Sequence, residues 1–388
     1  MDANSLRDAY QHAQVNLLAE TCELAANMTD VIDLSVGDPN FTTPQPIIAA
    51  AFNQVSSGMT HYTAALGLPS LRATISQRYQ ACWNLPVTSD NVMVTVGAEH
   101  ALFIALQAVT NPGDEIIVLE PCFSPYFDQV KLAGGKLVTV GLDADHAFAI
   151  DFAALDAALS DRTKAIIINS PNNPTGHVMS TAELSHLARW VKQHQLLVFS
   201  DEIYADYVIL GYQFESFAKY APDNTVVVSG FSKSYAMTGW RVGYLMGPKW
   251  LIAAAGQVND AVTFSAPTPS QVAAEYALQH HDTLVAPIVH AFCKRLAYLE
   301  TALNGIPNLT VSPIGGSIYA FLNIKATKLD SVNFAKQLLE QARVLVVPGL
   351  AFGASGEGFV RVAATQDLTT LKAAVLRLSQ LDWSKGND

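Results

Sequence analysis

The chain has 388 residues, of which 50% are apolar and 15% are charged, and its formal net charge at pH 7 is −11. This composition predicts a globular protein of one to three domains and excludes a disordered or fibrous chain. The negative charge argues against nucleic acid or an anionic membrane as a partner, because either would favour a basic face.

The cysteines and the N-terminal residues indicate the cellular compartment of the protein. The four cysteines are Cys22, Cys82, Cys122 and Cys293, and no two of them form a CxxC pair. Their spacing indicates neither a zinc site nor a disulfide framework. Residues 1–30 mix acidic with apolar positions, which predicts an amphipathic helix rather than a signal peptide. No apolar run approaches the length of about 18 residues that spans a membrane. We therefore expect a cytoplasmic protein without a metal site.

Strand and helix patterns alternate along most of the chain. A short strand over 31–39 and a helix over 46–55 come first. Apolar strands, separated by helical segments, are then predicted over 91–96, 115–119, 136–140, 164–169, 196–200 and 225–228. Continuous apolar strands between helices predict a mostly parallel sheet covered on both faces, so the fold class is α/β.

Candidate binding residues follow several of these strands. The backbone N–H groups of Gly97, Ala98 and Glu99 lie where a strand gives way to a helix and could hold an anion, although most such turns bind nothing. Phe123 follows the next strand and is either a ring-stacking residue or an ordinary core aromatic. Asn173, in SPNNPTG, either donates to a ligand oxygen or caps its own turn.

Ionisable residues mark two further points of the chain. Asp201 ends a buried strand, where an aspartate is either functional or a helix cap, and Tyr204 follows three residues later. Lys233 lies in SGFSKSYAMTGWRVGY, residues 229–244, between Ser232 and Arg241. An amine near another cation or partly desolvated becomes a nucleophile, whereas the alternative is a solvated loop lysine.

The C-terminal third predicts a second, smaller unit. Helices are expected from 248 to 255, with Gly256 as a possible break, and over 270–280, 287–302, 331–343 and 368–381. Strands are expected over 317–324, 344–347 and 358–363. Arg361 lies inside the last apolar strand, where a buried guanidinium requires an anion. The alternative is a structural salt bridge.

Five stretches carry a family resemblance: VGDPNFTTP, HYTAALGLPSLR, SPNNPTG, SDEIYADY and SKSYAMTGWRVGY. Together they resemble the class I, fold-type-I aminotransferases that depend on pyridoxal phosphate, in the aspartate and aromatic branch. The resemblance implies a large cofactor-binding domain over 46–285. It also implies a smaller α+β domain built from both chain ends, with 1–45 joining 286–388, and a homodimer.

The resemblance also implies residue roles. Lys233 holds the cofactor covalently and moves a proton during catalysis, Asp201 pairs with the ring nitrogen, and Tyr204 and Asn173 reach the ring oxygen. Phe123 stacks on the ring. The phosphate is held by Gly97, Ala98, Glu99, Ser232 and Arg241, with Tyr62 contributed by the neighbouring subunit. The substrate carboxylate is bound by Gly37, Asn173 and Arg361.

The implied activity is transfer of an amino group from an L-amino acid to a 2-oxo acid, with 2-oxoglutarate as the expected acceptor, by a ping-pong mechanism. Two alternatives remain: a carbon–sulfur lyase on the same fold, and a non-catalytic amino-acid-binding or regulatory protein. In aspartate-using relatives a lysine commonly occupies the position of Glu99. Charge reversal there would repel a second carboxylate by about 1–4 kcal/mol, which predicts neutral, aromatic or amine-bearing donors, including diaminopimelate-like ones. The alternative is that Glu99 turns away and only favours the positive helix N-terminus.

Overall fold

The structure is a computed structural model that describes residues 23, 25 and 28–383. The amphipathic helix predicted over 1–30 lies almost entirely outside the described residues. None of the described helices is long and apolar enough to cross a membrane.

Thirteen strands are present in the described part of the chain. They are β1 Ile32–Asp33, β2 Val92–Thr95, β3 Glu115–Glu120, β4 Lys136–Gly141, β5 Thr163–Asn169, β6 Leu197–Asp201, β7 Thr225–Gly230, β8 Gly243–Met246, β9 Thr310–Val311, β10 Tyr319–Asn323, β11 Val344–Leu345, β12 Val347–Pro348 and β13 Phe359–Ala363.

Eleven α-helices connect or flank these strands in the same described part. They are α1 Gln45–Ser56, α2 Pro69–Trp83, α3 Ala98–Val109, α4 Pro125–Leu132, α5 Phe152–Ala158, α6 Thr181–Gln193, α7 Lys249–Val262, α8 Thr268–Gln279, α9 His281–Asn304, α10 Ser331–Ala342 and α11 Leu368–Ser379.

The large sheet has seven strands in the order β2-β8-β7-β6-β5-β3-β4. Every neighbouring pair is parallel except the two that involve β8. Successive residues of the strands face opposite sides: Ile116 and Val118 pack with α3, α4 and α7, whereas Ile117 and Leu119 pack with α5 and α6. Helices on both faces explain why these strands are apolar throughout, as predicted for an α/β fold.

The small domain contains an antiparallel sheet in the order β12-β13-β10-β9, and β1 pairs in parallel with β11. One apolar cluster joins Leu34 to side chains of α9, α10 and α11, so the N-terminal segment packs with the C-terminal part. The α9 helix links the two cores, because Val285 packs in the large domain and Ile288 in the small one. We therefore propose the predicted boundaries, 46–285 and 286–388, with the division inside a continuous helix.

Three local predictions were wrong. Helix α7 continues through Gly256 to Val262, because Gly256 is buried and packs against Leu66. The strand expected over 31–39 covers only Ile32–Asp33. The strand expected over 344–347 divides into β11 and β12, which join different sheets.

Candidate active site

A cavity of about 420 Å³ lies at the carboxyl ends of the large-sheet strands, where the small domain covers them. Nearly all of the predicted site residues line it: Gly37, Ala98, Glu99, Phe123, Asn173, Asp201, Tyr204, Ser232, Lys233, Arg241 and Arg361. The two predicted residues that do not line it are Gly97, which lies directly against Arg241, and Tyr62. The fold therefore brings residues from separate motifs into one site.

Asp201 ends β6 and is buried in the floor of the cavity. Its Oδ2 accepts a hydrogen bond of 2.5 Å from the Tyr126 hydroxyl, and its Oδ1 accepts one of 3.0 Å from the Ile203 backbone N–H. Burial raises the pKa of Asp201 from 3.8 to about 6, although both hydrogen bonds and the charge of Lys233 oppose this rise. A cation bound beside this carboxylate would be strongly stabilised.

Tyr126 was missed by the sequence reasoning. It lies in the first turn of α4, three residues after Phe123, and the two rings meet edge to face with centroids 5.6 Å apart. An aromatic residue at that position is an ordinary amphipathic-helix pattern. Its hydroxyl bond to Asp201 spans 75 residues, so no local signal could have identified it.

Lys233 lies in the loop after β7 and is half-buried. Its Nζ donates a 2.6 Å hydrogen bond to the Gly37 carbonyl, and its own carbonyl accepts one of 2.6 Å from the Tyr207 hydroxyl. The amine thus points into the cavity while the backbone behind it is fixed. These contacts place a potential nucleophile against the small-domain segment.

The N-terminus of α3 and Arg241 form a positively charged corner. Gly97 caps α3 with a φ of +86°, which an L side chain rarely adopts, and a Cβ there would lie 2.7 Å from Arg241 Nη2. Arg241 Nη1 donates to the Thr238 carbonyl at 2.9 Å, which holds the guanidinium in place. Free N–H groups of the first helical turn, the guanidinium and the Ser232 hydroxyl together suit a phosphate.

Arg361 is a buried cation on β13, only 5% exposed. Its Nη1 donates to Asn173 Oδ1 at 3.0 Å and its Nη2 to the Ser35 carbonyl at 2.5 Å. Its Nε has no partner, and no carboxylate of the described residues forms an ion pair with it. The structural salt bridge considered from the sequence is therefore not found in this part of the chain. A ligand carboxylate fits this guanidinium.

The residues around Arg361 complete this end of the cavity. Asn173 uses its oxygen on Arg361, which leaves its Nδ2 as a donor. The Tyr204 hydroxyl lies 3.0 Å from that of Tyr319, and burial together with Tyr319 raises the pKa of Tyr204 well above its ordinary value. Tyr204 is therefore protonated at neutral pH. Gly37 has no room for a side chain, because a Cβ would lie 1.9 Å from the Tyr319 oxygen.

Tyr62 lies away from this cavity. Its side chain is 85% exposed and packs edge to face on Phe264, with ring centroids 5.3 Å apart. Tyr62 therefore has no contact with the cofactor site of its own chain. This position is compatible with a role toward a neighbouring subunit.

The donor set fits pyridoxal phosphate, the cofactor that the resemblance implies. The positively charged corner matches a phosphate, buried Asp201 matches a protonated ring nitrogen, and Tyr204 and Asn173 offer donors for a ring oxygen. The unpartnered Nε of Arg361 matches a substrate carboxylate. One cavity thus offers partners for the phosphate, the ring nitrogen and the ring oxygen of pyridoxal phosphate, and for the carboxylate of its substrate.

Comparisons with known proteins agree on one family. The sequence model for aminotransferase class I and II matches residues 29–378. The aspartate aminotransferase of Geobacillus stearothermophilus is 38% identical over 92% of each chain. The solved aspartate aminotransferase of Thermus thermophilus with maleate superposes with a TM-score of 0.91 at 34% identity, covering 97% of this chain and 99% of that one. The aromatic aminotransferase of Pyrococcus horikoshii OT3 gives a TM-score of 0.88 at 34% identity, covering 94% and 98%.

The raised pKa of Asp201 predicts how stability depends on pH in the cofactor-free protein. The folded state binds the Asp201 proton more tightly than the unfolded state does, so this stabilisation is complete below about pH 4 and is lost as pH rises through about 6. Asn cannot ionise. The free energy of unfolding of Asp201→Asn minus that of wild type should therefore increase by on the order of 2 kcal/mol from pH 4 to pH 7. Urea denaturation at each pH measures this difference.

Asp206 provides the matched control for this measurement. Burial opposes its ionisation, but hydrogen bonds from His281 and Ser234 outweigh burial and lower its pKa. Its stabilising contribution is lost only as pH falls below about 4, so the difference in free energy of unfolding between Asp206→Asn and wild type should stay nearly constant between pH 4 and pH 7. If Asp201→Asn followed the same trend as Asp206→Asn, the Asp201 carboxyl would not be the buried acid described above.

Proposed function

The chain is an enzyme of the aminotransferase class I and II family, whose members depend on pyridoxal phosphate, and we propose that it moves an amino group from an L-amino acid to a 2-oxo acid at the cavity described above. The observation that carries this proposal is the meeting of Lys233, Asp201 and Arg361 around one cavity. A nucleophilic amine, a buried acid and a buried guanidinium are the groups that amino-acid chemistry on this cofactor requires.

We propose these roles for the residues that hold the cofactor. Arg241, Ser232 and the N–H groups of residues 97–99 would bind its phosphate, and Asp201 would pair with its ring nitrogen. Phe123 would lie against its ring, and Tyr204 and Asn173 would donate to its ring oxygen. When bound, pyridoxal phosphate supplies a carbonyl that combines with amines and a ring that withdraws electrons from the neighbouring carbon.

The protein's own groups then direct the reaction. Arg361 would bind the α-carboxylate of the amino acid, helped by Asn173 and the Gly37 backbone, so that the α-carbon faces Lys233. The Lys233 amine, in its neutral form, would accept the proton that leaves the α-carbon and deliver it to the carbonyl carbon of the cofactor. Because one cavity serves donor and acceptor in turn, the kinetics should be ping-pong.

A second copy of this chain is the proposed partner. Tyr62 and Phe264 form an exposed aromatic pair outside their own cavity. A homodimer in which each Tyr62 reaches the phosphate site of the other subunit would cover this pair. Each of the two sites would then depend on both chains.

The thiols of the described residues support a reducing location. Cys82, Cys122 and Cys293 are unpaired. Free cysteines are typical of reducing compartments. On this ground we propose that the enzyme works in the cytoplasm.

Donor choice is expected to depend on Glu99. It lines the cavity at an exposed position, and its carboxylate has no side-chain partner among the described residues. The cations that line the cavity in this part of the chain are Lys233, Arg241 and Arg361, and each has a role above. The exposure of Glu99 reduces the repulsion of a second carboxylate to about 1 kcal/mol, the lower end of the range estimated from the sequence. We propose neutral, aromatic or amine-bearing donors, including diaminopimelate-like ones.

A donor panel at fixed 2-oxoglutarate, the proposed acceptor, tests the reaction and its preference together. Each accepted amino acid should yield its 2-oxo acid beyond one equivalent per active site only when acceptor is present, because the ping-pong scheme releases that first equivalent before the acceptor binds. Lys233→Ala should abolish turnover. Aspartate should not give the highest kcat/KM, and Glu99→Lys should raise its value about tenfold, because the change replaces repulsion by attraction. Pyruvate is the matched control for 2-oxoglutarate as acceptor, because it lacks the distal carboxylate that Glu99 would repel in 2-oxoglutarate as in aspartate.

Three outcomes would contradict parts of this proposal. Pyruvate formed continuously without any added acceptor, beyond one equivalent per active site, would indicate a lyase. Full turnover by Lys233→Ala would remove that residue from the chemistry. Aspartate ranking first by more than tenfold, with no gain in Glu99→Lys, would refute the argument from charge.

Subunit sharing is tested by complementation. Tyr62→Ala and Lys233→Ala should each be defective alone, because one weakens phosphate binding in the partner's site and the other removes the amine. Mixed under conditions of subunit exchange, they should regain activity, since some sites would then contain both residues intact. Tyr212→Ala, which changes another partly exposed tyrosine, is the control and should be active alone. No recovery despite demonstrated exchange would count against a shared site.

A further inference from the structure

The wall of the cavity formed by the first turns of α3 and by α4 contains unused hydrogen-bond acceptors. We propose that this wall, defined by Glu99, Leu102 and Gln129, binds a terminal ammonium group on the side chain of the donor. The inference rests on the proposed function, because it names the substrate class of that same site. It narrows the donors to amino acids that carry a second amine.

Gln129 provides the first observation. It is only 7% exposed, yet it lines the cavity. Its Nε2 donates a 3.0 Å hydrogen bond to the Glu99 backbone carbonyl, which can only accept, so the orientation of the amide is fixed. Its Oε1 is buried and has no partner in the described part of the chain. A buried carbonyl without a donor is costly, so a donor supplied by a ligand would be favoured.

Glu99 provides the second observation. Its backbone is joined to Gln129 by that hydrogen bond, and its side chain lines the same cavity. Its carboxylate is neither hydrogen-bonded nor ion-paired to a side chain of residues 28–383 that the structure describes. The wall therefore offers a fixed acceptor and a negative charge, with the apolar side chain of Leu102 beside them.

An ammonium group at the end of an aliphatic chain matches this combination. It carries three donors and one positive charge, so it can donate to Gln129 Oε1 and also pair with Glu99, while the methylene groups lie along Leu102. A side-chain hydroxyl could donate to Gln129 but would leave the charge of Glu99 unmatched. A side-chain carboxylate would place a hydrogen-bond acceptor against another acceptor, Gln129 Oε1, so it is the least suitable of the three groups.

Matched pairs of donors test this inference. L-lysine and L-norleucine differ in the terminal ammonium group, as do L-ornithine and L-norvaline. In wild type, kcat/KM should favour the amine-bearing member of at least one pair by about tenfold or more, as a hydrogen bond to a charged group implies. Gln129→Met keeps the length of the side chain but removes both its acceptor and the Nε2 donor to Glu99, so that ratio should fall about tenfold, mainly through KM.

Glu99→Gln is the second variant, because it removes the charge at an exposed position where folding should be unaffected. It should lower the same ratio by about threefold, as expected for an exposed charge pair. Cofactor content, read from visible absorbance, checks that both variants retain the site.

Two results would overturn the inference. One is equal kcat/KM within both pairs in wild type. The other is a Gln129→Met variant that slows all four donors by one factor, which is the effect of a purely structural residue. Failure of the proposed function would look different, because then neither the amine-bearing nor the neutral amino acids would be turned over by the cofactor-loaded enzyme.

Discussion

Two buried charges of opposite sign, Asp201 and Arg361, determine what this cavity can bind. Each is buried in a place where an ion costs several kcal/mol unless it meets an opposite charge or several hydrogen bonds. Asp201 meets two hydrogen bonds and still keeps a raised pKa, and Arg361 meets two neutral oxygens. A cationic ring nitrogen of the cofactor near Asp201 and a carboxylate of the substrate near Arg361 satisfy both.

The two charges belong to different cores, so the site depends on how those cores meet. Asp201 ends a strand of the large sheet, and Arg361 lies in the middle of the small one. Three hydrogen bonds join the large domain to residues 37–43: Lys233 Nζ donates to the Gly37 carbonyl, Thr43 donates to the Ala236 carbonyl at 2.6 Å, and Thr238 donates to Asp38 at 2.8 Å. The segment that follows β1 is therefore part of the site as well as of the small domain.

The sequence predicted much of this arrangement because its main signals are local. Asp201 and Asn173 follow apolar strands, and the carboxyl ends of parallel strands must meet at one edge. Tyr126, Tyr319 and Gln129 escaped prediction because their contacts join elements far apart in the chain, and nothing near them in sequence records the partner. The exposure of Glu99 escaped for a similar reason, since the first turn of a helix does not specify which side chain faces solvent.

The role of Lys233 is tested most directly by identifying which lysine carries the cofactor. Borohydride reduction of the cofactor-loaded enzyme, followed by proteolysis and mass spectrometry, should place the cofactor on Lys233, whose Nζ lies in the cavity 2.6 Å from the Gly37 carbonyl. Lys219 and Lys249 are the neighbouring lysines in sequence, and both pair with carboxylates elsewhere on the surface. A stoichiometric label on either of them, with Lys233 unmodified, would contradict this role of Lys233.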